Sequence, residues 1–276
     1  MTESVHQQAK NLAATHYENF PVAPFFLPKK LRTPIALIYA FARTADDIAD
    51  EGDLSAQQRQ QLLDDMHQQL PDRHPKTLTP FFEQLNAMIE QHHLPVPLFH
   101  DLLLAFSQDL YQKTYETFEE LLGYCQKSAN PIGRLLLHLT HQATEQNLLE
   151  SDCICSGLQI INFLQDLGDD LKQRQRLYIP LEDLKTFNLS QEELFHQRSS
   201  LALNRCLEAQ WERVYQMMQK GKPLGKRLKG RFGFEIRLTV QGGLALLHKI
   251  KKRSSPYDRP TLKAYDWPMM VLRALF

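Results

Sequence analysis

Residues 39–51 read YAFARTADDIADE, and residues 159–170 read QIINFLQDLGDD. We call these stretches the first and the second acidic motif. Each contains two aspartates four residues apart, which are Asp46 and Asp50 in the first motif and Asp166 and Asp170 in the second. On a helix this spacing places both carboxylates on one face, a turn apart. Because like charges so close together repel each other, the spacing predicts a cation between them.

Mg²⁺ is the cation that this pattern favours. It prefers a few carboxylate oxygens, together with waters and substrate phosphates. Ligands so far apart in the sequence can share a metal only when their helices are adjacent, so we expect the two motifs to face each other across one cavity. The predicted chemistry is metal-assisted binding and departure of a diphosphate.

The rest of the chain predicts helices. Apolar residues recur at spacings of three and four, and there are only 11 glycines in 276 residues. Thr33-Pro34 is typical of a helix start, and Gly52 of the end of the same helix. Breaks are predicted at Pro95, Pro97 and Pro131. With no repeat and no long linker, we expect one all-α domain that covers residues 1–276.

Polar partners share the helix face of each acidic motif. They are Tyr39 and Arg43 in the first motif, and Gln159 and Asn162 in the second. An exposed acidic helix end would explain the first motif alone, and an ordinary surface helix would explain the second. Two independent motifs, each with guanidinium or amide partners, favour a binding site instead.

Composition excludes several other classes of protein. Hydrophobic residues make up 43% and charged residues 23%, as in soluble globular proteins. The N-terminus is polar and no run of 18 apolar residues occurs, so we expect a cytoplasmic protein with no signal peptide and no membrane span. Between Lys222 and Lys263 there are twelve Lys/Arg and two acids. This basic region is either a solvated face or a surface attracted to anionic lipid headgroups or diphosphate, and no motif accompanies it that would favour nucleic acid.

The spacing of the motifs resembles that of a known family. Arg-x-x-Asp-Asp-x-x-Asp from Arg43, with Asn-x-x-x-Asp-x-x-x-Asp from Asn162, resembles the squalene/phytoene synthases over roughly residues 19–178. Shorter matches resemble its bacterial hydroxysqualene synthase branch; they are NFPV at residues 19–22, residues 39–53, SANPIGR at residues 128–134, Gln165, and YIP at residues 178–180.

The resemblance implies an isoprenoid synthase fold, a single helical domain around a central cavity. It matches Asp46, Asp50, Asp166 and Asp170 to the Mg²⁺ ligands of the family. It also implies that Arg43 contacts the diphosphate and that Arg43 and Tyr39 take part in catalysis. Substrate-lining positions are matched by Asn19, Phe20, Tyr124, Asn130, Gln159, Asn162, Arg176 and Tyr178. Asn130, before Pro131, is equally compatible with a simple helix break.

Two departures from the family pattern concern the second acidic motif. Many relatives carry arginine where Gln165 stands, which puts in doubt a diphosphate contact that is used in the first half-reaction. The spacing from Asp170 to Arg176 is one residue longer than usual. Asp169 therefore remains an alternative to Asp170 as a metal ligand.

The function that the resemblance implies is Mg²⁺-dependent conversion of presqualene diphosphate to hydroxysqualene, with release of diphosphate, in hopanoid or squalene biosynthesis. Water would capture the carbocation, so no nicotinamide is needed, and the chain has no G-x-G-x-x-G. One alternative is a squalene, phytoene or presqualene diphosphate synthase that condenses two prenyl diphosphates. Another is a catalytically retired assembly or lipid-binding relative, but the four intact aspartates argue against it. A peripheral membrane contact is a further expectation, because a triterpene must leave into lipid.

Overall fold

The computed structural model describes residues 29–275, and this part of the chain is helical. It contains no strand, only a single parallel bridge between Thr114 and Leu177. The chain divides into two compact units. In the described range the first unit comprises residues 29–112 and 126–148, and the second comprises residues 113–125 and 149–275. The prediction of an all-α fold is confirmed, whereas the single domain stays a prediction.

Up to residue 139 the helices are α1 (Lys29–Asp50), α2 (Ala56–Gln68), α3 (Pro80–Gln91), α4 (Pro97–Asp109), α5 (Phe118–Ser128) and α6 (Asn130–Leu139). From residue 145 they are α7 (Glu145–Gln165), α8 (Leu167–Asp169), α9 (Leu181–Thr186), α10 (Gln191–Phe195), α11 (Leu201–Gly221), α12 (Leu224–Arg227), α13 (Gly230–Lys251) and α14 (Trp267–Leu275). Short 3₁₀ turns cover Pro71–Arg73 and Ala264–Asp266, and a π-helical turn covers Asp170–Arg174.

The core of the first unit determines the rotation of α1 about its axis. Phe41 is fully buried and makes edge-to-face contacts with Phe99 and Phe82, at centroid distances of 5.3 and 6.2 Å. Leu37 and Ala45, one turn to either side of Phe41, belong to the same core cluster. Residues 39, 43, 46 and 50 lie on the opposite side of the helix, because they are half a turn away from Phe41. The packing therefore keeps the polar side chains of the first acidic motif out of the core.

The start of α1 differs from the prediction. The helix begins at Lys29, so Thr33 is not its N-cap and Pro34 lies inside the helix. Leu31 is buried in the core of the unit, which holds the extra turn in place. Pro34 removes only the hydrogen bond to the carbonyl of Lys30, and Lys30 is exposed to water. At the other end the prediction is confirmed, since α1 ends at Asp50 and Gly52 adopts a left-handed φ of 80°.

The break at Pro131 is also confirmed. Helix α5 ends at Ser128, and α6 begins at Asn130 with the proline in its first turn. The predicted breaks before Pro97 lie where they were expected, because α3 ends at Gln91 and α4 begins at Pro97.

In the second unit, α7 lies close to α11 and α13 because both neighbours place glycine at the contact. A Cβ on Gly243 would lie 2.5 Å from Leu158 Cδ2, and a Cβ on Gly221 would lie 2.8 Å from the carbonyl oxygen of Glu150. These close approaches fix α7 inside its unit and so fix the position of the acidic motif at its end.

Candidate functional site

The first acidic motif occupies the last three turns of α1 and the residue that follows. Arg43 lies among its carboxylates: Nη1 is 3.1 Å from Asp46 Oδ2, and Nη2 is 2.6 Å from Asp47 Oδ1 and 2.8 Å from Glu51 Oε1. Asp50 makes a fourth carboxylate, so the motif contains four acids and a single arginine. The remaining negative charge suits a cation.

Tyr39 lies two turns before the carboxylates on the same face of α1. Its burial raises the pKa of the hydroxyl above its ordinary value, and the positive charge of Arg43 opposes that rise. The phenol therefore stays protonated at neutral pH and can donate a hydrogen bond.

The second acidic motif continues the hydrogen-bonding pattern of α7 past its end. The amide of Asp166 donates to the carbonyl of Asn162, and the amide of Asp170 donates to the carbonyl of Asp166, both at 2.8 Å. Asp166 and Asp170 thus lie one turn apart, as their spacing predicted. Burial raises the pKa of the Asp170 carboxyl to about 6, although Arg174 Nη1 donates to it at 2.9 Å and lowers that pKa.

A π-helical turn follows at Asp170–Arg174. The amides of Gln175 and Arg176 both donate to the carbonyl of Asp170, as a widened turn requires. Asp170 remains buried, while Asp169 is half-exposed. Both carboxylates are one turn from Asp166, so both remain candidate ligands.

Aromatic side chains form a wall next to the second acidic motif. Phe163 and Tyr178 stack at a centroid distance of 3.7 Å, and Tyr124 contacts both rings at 6.2 and 6.3 Å. Tyr115 also stacks on Tyr178, at a centroid distance of 5.9 Å. A small pocket lies in this region, lined by Phe163, Leu164, Leu167, Asp170, Arg176, Tyr178, Ile179 and Gln210. The second unit therefore combines a buried carboxylate, an arginine and several aromatic faces.

The structure adds Arg259 to the residues that the sequence singled out. Arg259 Nε donates to Asp166 Oδ1, Nη2 donates to Asp166 Oδ2 at 3.4 Å, and Nε is 4.0 Å from Asp169 Oδ2. The basic composition of the C-terminal third pointed to this region. It could not single out Arg259, because 93 residues separate this arginine from Asp166.

Gln165, the residue before Asp166, makes a structural contact here. Its Nε2 donates to the carbonyl of Pro260 at 2.7 Å, next to Arg259. Arg253 Nη1 donates to the carbonyl of Leu164, also at 2.7 Å. These two bonds hold the segment that carries Arg259 against the end of α7.

The donor groups of the two motifs determine which metal ion they could bind. In residues 29–275 no three His, Cys, Asp or Glu side chains are gathered into a metal cluster, and Asp46, Asp166 and Asp170 are each bonded to an arginine. The donor atoms are carboxylate oxygens, the hard ligands that Mg²⁺ prefers. In the first motif the carboxylates also outnumber the arginine. A cation would also relieve the cost of burying Asp170. The residues therefore fit Mg²⁺.

The other predicted site residues fall into three groups. Gln159 and Asn162 are partly buried on α7, in the turns before Asp166. Asn130 is buried at the start of α6 in the first unit. Asn19 and Phe20 lie outside the described residues.

Comparison with known proteins establishes the family. The family model described as squalene/phytoene synthase matches residues 13–267. The chain belongs to this family. It is 33% identical to the hydroxysqualene synthase of Rhodopseudomonas palustris over 259 residues, which cover 94% of this chain and 88% of that protein. It is 32% identical to the hydroxysqualene synthase of Sinorhizobium fredii over 92% of this chain and 86% of that protein.

Solved structures agree with this assignment. The crystal structure of squalene synthase HpnC from Alicyclobacillus acidocaldarius matches with a TM-score of 0.83 and 30% identity, covering 92% of this chain and 95% of that one. A dehydrosqualene synthase in complex with ligand matches with a TM-score of 0.79 at 20% identity, covering 98% and 95%, which bears on the fold alone. The predictions of an isoprenoid synthase fold, of resemblance to the hydroxysqualene synthase branch and of an enzyme of the synthase type are confirmed.

Proposed function

We propose that this enzyme converts presqualene diphosphate to hydroxysqualene and releases diphosphate, with Mg²⁺ as its cofactor. Members of the family act on isoprenoid diphosphates. The observation that carries the finer proposal is the similarity to hydroxysqualene synthases along nearly the whole chain, together with intact aspartates in both motifs.

Asp46 and Asp50 would hold Mg²⁺ in the first motif, and Asp166 with Asp169 or Asp170 would do so in the second. Bound Mg²⁺ neutralises the charge that develops on a departing diphosphate. Carboxylates on successive helical turns are suited to this role, because the helix holds their positions before the substrate arrives.

Arg43 and Arg259 are the residues that would bind diphosphate oxygens directly. Each already lies within the carboxylates of one motif, as described above. A guanidinium presents several N–H groups in a planar fork that matches phosphate oxygens. Hydrogen bonds aimed at the leaving group stabilise it more as its charge grows, which lowers the barrier to ionisation.

The aromatic wall of Tyr124, Phe163 and Tyr178 would stabilise the carbocation that remains. The faces of aromatic rings attract positive charge, and the effect grows when water is excluded. In the proposed reaction one water molecule forms a C–O bond with the cation and loses a proton, which gives the alcohol and needs no reductant. A peripheral membrane contact is part of the proposal, since the product is insoluble in water.

Product analysis by mass spectrometry tests the proposal. Presqualene diphosphate and farnesyl diphosphate are offered separately with Mg²⁺, in ordinary and in ¹⁸O-labelled water. We expect hydroxysqualene from presqualene diphosphate, with the label in its hydroxyl group. Condensation of farnesyl diphosphate to presqualene diphosphate, squalene or another hydrocarbon would identify a sibling synthase instead. No turnover of either substrate would favour the retired relative.

A further inference from the structure

Helix α14 is apolar on two opposite faces. Met270 and Ala274 are buried against a cluster that includes Leu238 and Leu262. The outward face is also apolar: Met269 is 52% exposed, Leu272 51% and Leu275 61%, with Trp267 and Val271 beside them. Arg273 is the one charged residue of this helix. A surface helix ordinarily has a polar outward face, so this face is suited to an apolar partner.

The exposed apolar side chains are clustered here and not scattered over the surface. Six of the thirteen large apolar side chains that are exposed in residues 29–275 lie between Tyr265 and Leu275. Single exposed apolar residues are normal, whereas a contiguous apolar patch marks a site of interaction.

Basic residues lie next to the end of α14. Arg237 connects the two regions, because its Nε donates to the carbonyl of Ala274 and its Nη1 to the carbonyl of Gly225, both at 2.6 Å. Gly225 belongs to α12. In and around α12 the exposed side chains include Lys222, Lys226, Lys229 and Arg231, and no acid occurs between residues 222 and 234.

We propose that the outward face of α14 inserts into the interface of an anionic lipid bilayer, with the basic residues around α12 bound to lipid headgroups. We call these two parts together the C-terminal docking surface. The proposal concerns binding alone and holds whichever isoprenoid product the enzyme makes.

Charge favours lipid over a second copy of this chain. Two copies that met through this surface would bring two sets of basic residues together, which is repulsive, whereas anionic headgroups attract them. The helix has nine residues, too few to span a bilayer, so it would lie in the plane of the interface. Trp267 and Tyr265, at and before its start, are residue types enriched at membrane interfaces.

Cosedimentation of the full chain with vesicles tests the proposal. The vesicles are phosphatidylcholine alone, or phosphatidylcholine with an equal amount of phosphatidylglycerol, at low and at high salt. We expect stronger binding to the anionic vesicles that weakens with salt. The double variant Leu272→Gln/Leu275→Gln should reduce the partition coefficient on the order of tenfold, since it removes two apolar side chains from the lipid.

Two further variants make the test specific. Lys226→Gln with Arg231→Gln should weaken binding to anionic vesicles by about 25-fold, at roughly fivefold for each of the two charges, and leave binding to neutral vesicles unchanged. Leu104→Gln removes a leucine that is 46% exposed on α4 of the first unit and should change nothing. Thermal unfolding of each variant checks that it is folded.

Three results would overturn the proposal. The first is equal binding to both kinds of vesicle regardless of salt, and the second is no binding at all. The third is a concentration-dependent dimer in analytical ultracentrifugation that the α14 variant converts to monomer, because the face would then bind a second copy. Since no substrate is used, failure here is distinguishable from failure of the proposed reaction.

Discussion

Replacing Glu235 by glutamine should stabilise the protein at alkaline pH. Glu235 lies on α13, is 2% exposed, and receives no hydrogen bond on either carboxylate oxygen from any described residue. Burial raises the pKa of this carboxyl from 4.5 to about 7. The folded protein therefore binds this proton more tightly than the unfolded chain does.

The sign of the pH dependence follows from that difference. Below pH 4.5 the group is protonated in both states and has no effect on the free energy of unfolding. As the pH rises from 4.5 to about 7, the unfolded chain loses the proton first, so stability falls. Above pH 7 the free energy of unfolding has fallen by its full amount, which is on the order of 3 kcal/mol. Glutamine stays neutral at every pH and avoids this loss.

Urea unfolding of the wild type and of Glu235→Gln at pH 5 and pH 8.5 provides the measurement. The free energy of unfolding of the variant should exceed that of the wild type by up to about 3 kcal/mol at pH 8.5 and by little at pH 5. Glu208→Gln is the matched control, because Glu208 is exposed in the same unit and its ion pair with Lys251 contributes at most about 1 kcal/mol. The same difference between Glu235→Gln and the wild type at both pH values would refute the reasoning.

The catalytic proposal predicts that Asp46→Asn or Asp166→Asn lowers kcat at least about a hundredfold, or about 3 kcal/mol, with an unchanged Tm; unchanged activity, or full activity in EDTA, would contradict it. An experimental structure with Mg²⁺ and a substrate analogue should place these two carboxylates within about 12 Å of each other, and a larger separation would exclude a shared metal site. Gly243→Ala should lower the free energy of unfolding in urea by about 1–3 kcal/mol, because the new Cβ would collide with a buried leucine. Gly123→Ala, with open space around it, should raise that free energy by about 0.5–1 kcal/mol. Gln165→Met should raise KM for the diphosphate while Tm falls by a few degrees, since it releases the segment that carries Arg259; an unchanged KM would show that the bond to Pro260 has no role in positioning.

Helical period was enough to predict the face of α1 that carries the first acidic motif. Phe41 and its apolar neighbours recur at helical spacing, and the carboxylates occupy the opposite side. The start of the same helix could not be read in this way. Local preference favoured Thr33-Pro34, but burial of Leu31 holds one more turn, and such tertiary packing overrides propensity.

The surroundings of the second acidic motif were predictable only in part. Tyr124, Arg176 and Tyr178 follow from family resemblance, but Tyr115 and Phe163 complete the aromatic wall through contacts between distant segments. Arg259 is one of twelve basic residues in its region, and nothing in its local sequence separates it from the other eleven. Such contacts depend on how segments pack, which local patterns do not encode.

The π-helical turn at Asp170–Arg174 gives this part of the helix room for one more residue than an α-helical turn holds. A wider turn absorbs one additional residue within a single loop of the helix, so the segments on both sides keep their orientation. Arg176 and Tyr178, which follow the wide turn, line the pocket together with Asp170. Deletion of Gln173 would therefore remove the one residue that the wide turn accommodates.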